Sequence, residues 1–483
     1  MPGGYRRRVE ALQRFVDEQR ALWEVPGCAV GVILGSEIVL RAGFGTRRLD
    51  ADEPVTTKTI FPIGSTTKSF TASAVGALVD DGLLEWDKPL REYIPEFAMH
   101  DPVASERITV RDLLSHRSGL PRHEFVWLGH PERTRADFVR RLRHLPLSAD
   151  IRQTFQYSNL GYITVGHLID VVAGMSWEEF VSTRLLKPLA MDRSNLSIEE
   201  TKAADDVARG HERRDAAIVE IPYRDLAHIG PAGSINSCID DMLSYVRVHL
   251  APGDDGPISA AAATQMHAPQ ITIPEDKTFP ESTRYGYGLG WLVGQYRGHR
   301  IVEHNGGVDG FLTDCMMLPD DGIGVVVLTN FWSAMGPCIA YRAFDELLGL
   351  EPIDWSTRMK GLLEAARAAR SQARAQTKPG PDARGARPLE DYAGNYEHAG
   401  YGRFTVAAED ERLVPSFGTL DLSLSHKQYD VFELGWNELV DQDIRFPLTF
   451  LTAPDGDIVA LTIPFEDAVE PIRFDRIPKT TTK

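Results

Sequence analysis

The stretch F61 P62 I63 G64 S65 T66 T67 K68 S69 F70 carries a turn-forming Pro and Gly, a Ser, a Lys three residues on, and then an apolar run. Two readings compete for it. Ser is a favoured N-cap, and a helix beginning at "GSTTKSFTASAVGALVDDGLL" needs no further reason. Alternatively Ser65 is a nucleophile and Lys68 its base, because residues i and i+3 share a helix face with Cβ atoms about 5–6 Å apart. Near a helix N-terminus the macrodipole disfavours an ammonium and stabilises negative charge developing on Ser65, which suits the second reading. A lone S-x-x-K arises by composition, so the decision rests on what the rest of the chain supplies.

Upstream, Val9, Leu12 and Val16 space an amphipathic helix, and "CAVGVILGSEIVLRAGFG" reads as a hairpin turning at Gly35-Ser36. Downstream, Phe70, Ala74, Ala77 and Leu78 continue the Ser65 helix until Gly82 stops it. "TVRDLLSHRSG" ending at Gly119 is a short capped helix. Residues 120 to about 150 are irregular and carry Arg122, His123, Glu124, Phe125 and Trp127. That charged and aromatic cluster makes Arg122 and Trp127 candidate substrate-binding residues, with plain loop packing as the other reading of Phe125 and Trp127. "YSNLGYITVGHLIDVVAG" begins another apolar-faced helix at Tyr157, and from about Tyr285 the period switches to strands.

Strands at both ends of a helical middle predict the α/β class, an α+β sandwich: an antiparallel sheet flanked by helices, with an all-α subdomain. After Trp355, "EAARAARSQARAQTKPGPDARGARP" reads as a fraying helix and then a linker. Short alternating strands follow, such as "GRFTVAAE" and "YDVFELG". The expected division is a domain over 1–365, a linker over 366–388 carrying Pro379, Gly380 and Pro381, and a small antiparallel β-barrel over 389–483.

With 483 residues, 43% hydrophobic and 25% charged, the chain can bury two or three cores. A formal charge of −17 argues against nucleic-acid or anionic-membrane partners, which need a basic face. Arg6-Arg7-Arg8 is read as a solvated helix face. Cys28, Cys238, Cys315 and Cys338 form no C-x-x-C pair and suit free thiols in a reducing compartment. His116, His123 and His130 recur every seventh residue, and His211 to Asp215 echo a metalloprotease motif, yet neither has the H-E-x-x-H spacing. No metal and no cofactor are therefore expected. The N-terminal stretch lacks an apolar h-region and no segment reaches about 20 apolar residues, so the expectation is a cytoplasmic protein.

The partners of Ser65 and Lys68 are present, in order. Tyr157-Ser158-Asn159 supplies Y-x-N, and of three H-x-G occurrences, at His228, His304 and His398, only His304-Asn305-Gly306 joins two strand-like runs. With "LLSHRSGLP" and "HNGGVDGF" in support, the chain resembles the serine β-lactamase and penicillin-recognising superfamily over roughly residues 5 to 350. The resemblance is closest to the class C-like branch of esterases, D-amino-acid peptidases and amidases. The tail is similar to the lipocalin-like C-terminal domain of some peptidases of this branch.

The resemblance implies a β-lactamase/transpeptidase-like fold and an acyl-enzyme mechanism. Ser65 attacks a carbonyl, Lys68 with Tyr157 moves its proton, and the amides of Ser65 and Gly307 form the oxyanion hole. His304 would orient Tyr157 or favour its anion, Asn159 would donate to a substrate amide, and Asn305 and Gly306 would line the substrate. Lys-Thr/Ser-Gly, usual in penicillin-recognising members, is here His304-Asn305-Gly306, which removes a fixed cation and a hydroxyl and argues against a β-lactamase. An amide, peptide-like or ester small molecule remains as substrate, and the tail favours a peptidase or amidase. Carboxylesterase or acyltransferase activity is the alternative, and a non-catalytic penicillin-binding-like module a remote one. The barrel is expected to act sterically, by roofing the cleft or by contacting another copy in a homo-oligomer.

Overall fold

The computed structural model describes residues 3–49, 51–215, 217–253, 256–274, 278–376, 387–437 and 444–478. The opening helix α1 spans Gly3–Leu22, and the expected hairpin forms strands β1 (Gly27–Leu34) and β2 (Glu37–Gly45). Late in the chain come β3 (Ile271–Thr272), β4 (Ser282–Tyr287), β5 (Leu292–Tyr296), β6 (His299–Val308), β7 (Phe311–Leu318) and β8 (Ile323–Thr329). These eight strands form one sheet in the order β2-β1-β8-β7-β6-β5-β4-β3. The contact that joins the two ends of the chain is antiparallel, with Val30 opposite Val327.

The central strands are buried on both faces, which is why β8, IGVVVLT, reads as a continuous apolar run rather than an alternation. Successive residues nevertheless serve different cores. Val30, Val325 and Val327 pack with α1 and with α5 (Met335–Leu348) on one face. Ala29, Val326 and Leu328 join the other face, which holds α2 (Thr67–Asp80) and α4 (Ile239–Leu250). The helix α2 is buried from Thr67 to Leu78, small residues on every side letting it run through the core. The helix α3 (Asn159–Ala173) belongs to the all-α part packed against it. The fold is the mixed class expected, an antiparallel sheet with helices on its faces. No helix of the described residues is long and apolar enough to cross a membrane.

A helix α6 spans Trp355–Gln376, carrying regular structure into the stretch read as linker. Residues 377–386, with Pro379, Gly380 and Pro381, lie outside the described residues, as do the side chains of Arg6, Arg7 and Arg8. A second eight-stranded antiparallel sheet follows: β9 (Gly394–His398), β10 (Gly402–Glu409), β11 (Arg412–Ser416), β12 (Leu422–Gln428), β13 (Val431–Trp436), β14 (Ile444–Thr452), β15 (Ile458–Ile463) and β16 (Ile472–Arg476). In the order β11-β10-β9-β16-β15-β14-β13-β12 it curls into a nearly closed barrel filled by Tyr396, Phe404, Phe417, Phe432, Phe450 and Phe474. The barrel does not hang free. Phe125 of the irregular segment stacks on Phe465, ring centres 4.2 Å apart, and meets Trp436 and Phe446 edge-on.

Candidate active site

Ser65 does not cap the helix it precedes. It lies in a 3-10 turn, Gly64–Thr66, while Thr66 holds the N-cap position of α2 without a side-chain cap bond. Its Oγ lies 3.0 Å from Lys68 Nζ, which also donates to the carbonyl of Ala232 at 2.8 Å. Lys68 is fully buried, and Tyr157 and Tyr162 place their rings 4.9 and 5.4 Å from its nitrogen. Burial drives the Lys68 pKa well below the ordinary lysine value; Glu124 works against the shift and Arg122 with it. Burial of this kind favours the neutral amine, the form that a general base needs.

Tyr157 is hydrogen-bonded to Ser65, so the serine hydroxyl has polar neighbours on two sides. Burial raises the Tyr157 pKa, and the Ser65 bond and the Arg122 charge oppose the rise. Burial thus disfavours the charged form of both groups. His116 braces the tyrosine from behind: its Nδ1 accepts from the amide of Ser158 at 3.1 Å, and its ring lies 4.3 Å from that of Tyr157.

The third motif closes over the serine as backbone. Gly64 has φ +50, and a Cβ there would fall 2.9 Å from both N and O of Gly307. A Cβ on Gly306 would fall 1.8 Å from the carbonyl oxygen of Ile63 and 2.8 Å from the amide nitrogen of Ser65. Only glycines let β6 come this near. Val308 pairs with Phe311 across a two-residue turn, so Gly307, one step back, turns its N–H and C=O away from β7. On that side the pairing with β5 ends at Glu303 opposite Leu292, which leaves the Gly307 edge open.

His304 is placed differently from expectation. Its Nδ1 donates to the carbonyl of Asn305 at 2.6 Å, so its Nε2 accepts from the hydroxyl of Tyr287 at 2.9 Å. Tyr157 is reached only by ring proximity, 6.4 Å between centres. Burial, with the Lys68 charge adding to it, lowers the His304 pKa to about 3, so no imidazolium is available to favour a tyrosinate. Asn305 is exposed and, by the period-two alternation of a strand, points to the face opposite Gly306, away from Ser65.

Asn159 opens α3, and its Nδ2 donates to both carboxylate oxygens of Glu124 at 3.3 Å each. Arg122 pairs with the same carboxylate at 3.2 Å and lays its guanidinium 5.1 Å from the Tyr157 ring. Burial raises the Glu124 pKa against the pull of Arg122, Lys68 and Asn159. In the sequence Glu124 stands in the charged cluster of the loop with no motif to single it out, and Tyr287 lies within "YGYGLG", which carries no motif either. Trp127 stands apart: it is 7% exposed, and its ring packs 6.2 Å from that of His228. The sequence-derived residues thus assemble as Ser65, Lys68, Tyr157, Asn159, Arg122, Gly306 and Gly307, with His304 behind them. Among the described residues no group of three His, Cys, Asp or Glu side chains is placed to hold a metal ion.

Comparison with known proteins gives the family. Residues 12–343 match the family described as Beta-lactamase, and residues 378–476 match a domain of unknown function, DUF3471. Unguisins hydrolase ungD of Aspergillus violaceofuscus is 32% identical over 82% of this chain and 76% of its own length. Unguisins hydrolase ungD' of Aspergillus campestris is 31% identical over 81% of this chain and 76% of its own. The octameric penicillin-binding protein homologue of Pyrococcus abyssi superposes with a TM-score of 0.65 at 25% identity, covering 96% of this chain and 99% of its own. The chain belongs to the Beta-lactamase family, within the serine β-lactamase and penicillin-recognising superfamily.

Proposed function

We propose that the protein is a serine hydrolase that cleaves an amide or peptide-like bond through an acyl-enzyme on Ser65. The observation that carries this reading is the buried, depressed Lys68 amine 3.0 Å from Ser65 Oγ. Neutral Lys68 takes the Ser65 proton as Oγ attacks the carbonyl carbon, and Tyr157, bonded to the same hydroxyl, passes a proton to the leaving nitrogen. The amides of Ser65 and Gly307 stabilise the oxyanion, and water enters on the same route in reverse to release the acid. His304 acts through structure, holding β6 at Asn305 and fixing Tyr287.

Two relatives named as hydrolases, at 31 and 32% identity, support hydrolysis over transfer to another acceptor. A fixed cation is missing at position 304, which disfavours a substrate anchored by a carboxylate there. The octameric relative supports a homo-oligomer, which light scattering tests.

The decisive experiment is fluorophosphonate labelling of Ser65, followed by turnover of D- and L-aminoacyl amides against short-chain esters. Labelling at Ser65 with preference for amides is expected. Activity that survives Ser65→Ala overturns the mechanism, and faster turnover of esters replaces the amidase reading with an esterase one.

A further inference from the structure

Between the two residues that reach the site from the irregular segment, Arg122 and Glu124, stands His123, which reaches the other way. It is fully buried, with φ +45, a left-handed conformation that a non-glycine residue keeps only where its surroundings fix it. What fixes it is largely the barrel. The amide of His123 donates to Oε2 of Glu466 at 2.9 Å, and its Nδ1 meets the hydroxyl of Tyr401 at 2.8 Å. Its Nε2 is bonded within the segment, to the carbonyl of Pro146 at 2.9 Å. Every polar group of the side chain and the backbone N–H is therefore engaged.

The surrounding seat makes the same connection rigid. Arg133 Nη2 donates to the carbonyl of Tyr401 at 2.6 Å, and the amide of Thr419 donates to the carbonyl of Gly129 at 2.8 Å. Glu466 is itself held in shape, since its Oε1 accepts from the amide of Ala468 at 3.1 Å. Immediately after His123 the chain makes a 3-10 turn over Glu124–Val126, closed by the amide of Val126 on the carbonyl of His123 at 3.0 Å. The direction in which Glu124 leaves the backbone, and hence where it holds Asn159, is set at the residue the barrel grips.

We infer that the barrel is a working part of the active site: through His123, Glu466 and Tyr401 act as positioning residues for Glu124, Asn159 and Arg122. The inference rests on the reading of Ser65 as the nucleophile for its kinetic consequences, not for its structural ones. A barrel that acted only as a roof or as a subunit contact would leave those three side chains where they are.

The test uses the full chain with Glu466→Ala, Tyr401→Phe and, as rescue, Glu466→Gln, which keeps a carbonyl oxygen able to accept from His123. Hydrogen exchange at residues 122–126 should quicken in Glu466→Ala and Tyr401→Phe, while α2 and the thermal midpoint stay close to those of the unaltered protein. KM for the best amide should rise by about tenfold or more, as expected of misplaced substrate contacts. Measured on the high-pH plateau, where Lys68 is already neutral, reaction of Ser65 with a small fluorophosphonate should change by no more than about twofold, because the Ser65–Lys68 contact is untouched. Glu466→Gln should restore KM. In an Asn159→Ala background, Glu466→Ala should add little further loss, since both act on one contact. Unchanged exchange at 122–126, or KM losses that simply add to that of Asn159→Ala, overturns the inference whatever Ser65 does. Failure of Ser65 to label in the unaltered protein overturns the hydrolase reading alone, and the exchange result still decides this one.

Discussion

The side-chain amide of Asn159 is held by both oxygens of Glu124, at 3.3 Å each, across the mouth of the Ser65 site. Both amide protons cannot serve a substrate while that grip lasts, so Asn159 is an oriented group with one face already committed. The carboxylate also sits among charges, with Arg122 at 3.2 Å and Lys68 close enough to feel it. Glu124 and Arg122 therefore act on Lys68 from opposite directions.

The pH dependence of kcat/KM follows from that opposition. As the proposed base, Lys68 must be neutral to accept a proton, so activity should rise as pH climbs through its pKa. Burial sets most of the depression, Glu124 raises the pKa again and Arg122 lowers it. Glu124→Gln should move the rising limb to lower pH, and Arg122→Gln should move it to higher pH. Profiles measured on the best substrate check this, and shifts of the same sign in both variants would refute the assignment of Lys68 as the base.

Ser65→Ala, Lys68→Ala and Tyr157→Phe should each lower kcat by about 10²- to 10⁴-fold, with double variants scarcely worse than the worst single one. The reason is shared work: in the proposed mechanism one proton passes among these three neighbouring side chains. Pre-steady-state and steady-state kinetics on the same amide read the outcome. Losses that multiply would mean the residues act independently.

Arg122 and Trp127, alike as loop residues in the sequence, should part company on mutation. Arg122 is exposed and lies against Tyr157, so Arg122→Ala should alter KM or substrate preference and cost less than about 1 kcal/mol of stability. Trp127 is buried within the core, and Trp127→Ala should cost about 3–5 kcal/mol with the surviving folded protein still turning over substrate. Chemical denaturation alongside kinetics separates the two. A stable Trp127→Ala protein with altered specificity would put Trp127 in the substrate pocket.

The three motifs were legible because the chemistry dictates residue types at short spacings: a serine and a lysine on one turn, and two glycines where a strand must touch a helix start. The main sheet was legible from β-branched runs bounded by turns. What stayed hidden was pairing between distant segments. The motif order sets His304 against Tyr157, but its hydrogen-bond partner is Tyr287, on a neighbouring part of the same sheet. Glu124 gains meaning only once the loop folds over Asn159. In the barrel, β11 carries Pro415 and lies at the end of the strand order, where an unpaired side tolerates proline. The helix α6 reaches Gln376 because Ala and Arg sustain a helix that needs little burial.

Asp314 offers a stability test away from the Ser65 site. It lies on β7 with 5% exposure, its Oδ2 has no hydrogen-bond partner among the described residues, and it presses on Gly336 in α5, where a Cβ would fall 1.9 Å from that oxygen. Burial, with the Glu303 charge adding to it and Arg284 opposing, pushes its pKa up to about 7. The folded protein thus prefers the protonated acid, while the unfolded chain ionises in the ordinary carboxylate range. The stability this contributes is complete below that range and is lost as pH rises toward 7. Buried histidines such as His304 and His267 slope the other way, losing stability as pH falls below the ordinary imidazole value, so the raw profile mixes both signs. Asp314→Asn keeps the shape and removes only the carboxylate titration. The difference in unfolding free energy between Asp314→Asn and the unaltered protein should therefore grow in favour of the variant from pH 4 to pH 8, by a few kcal/mol at most. Denaturant titrations at both pH values measure it, and a constant difference would mean that Asp314 is ionised in the fold, with a partner for its second oxygen.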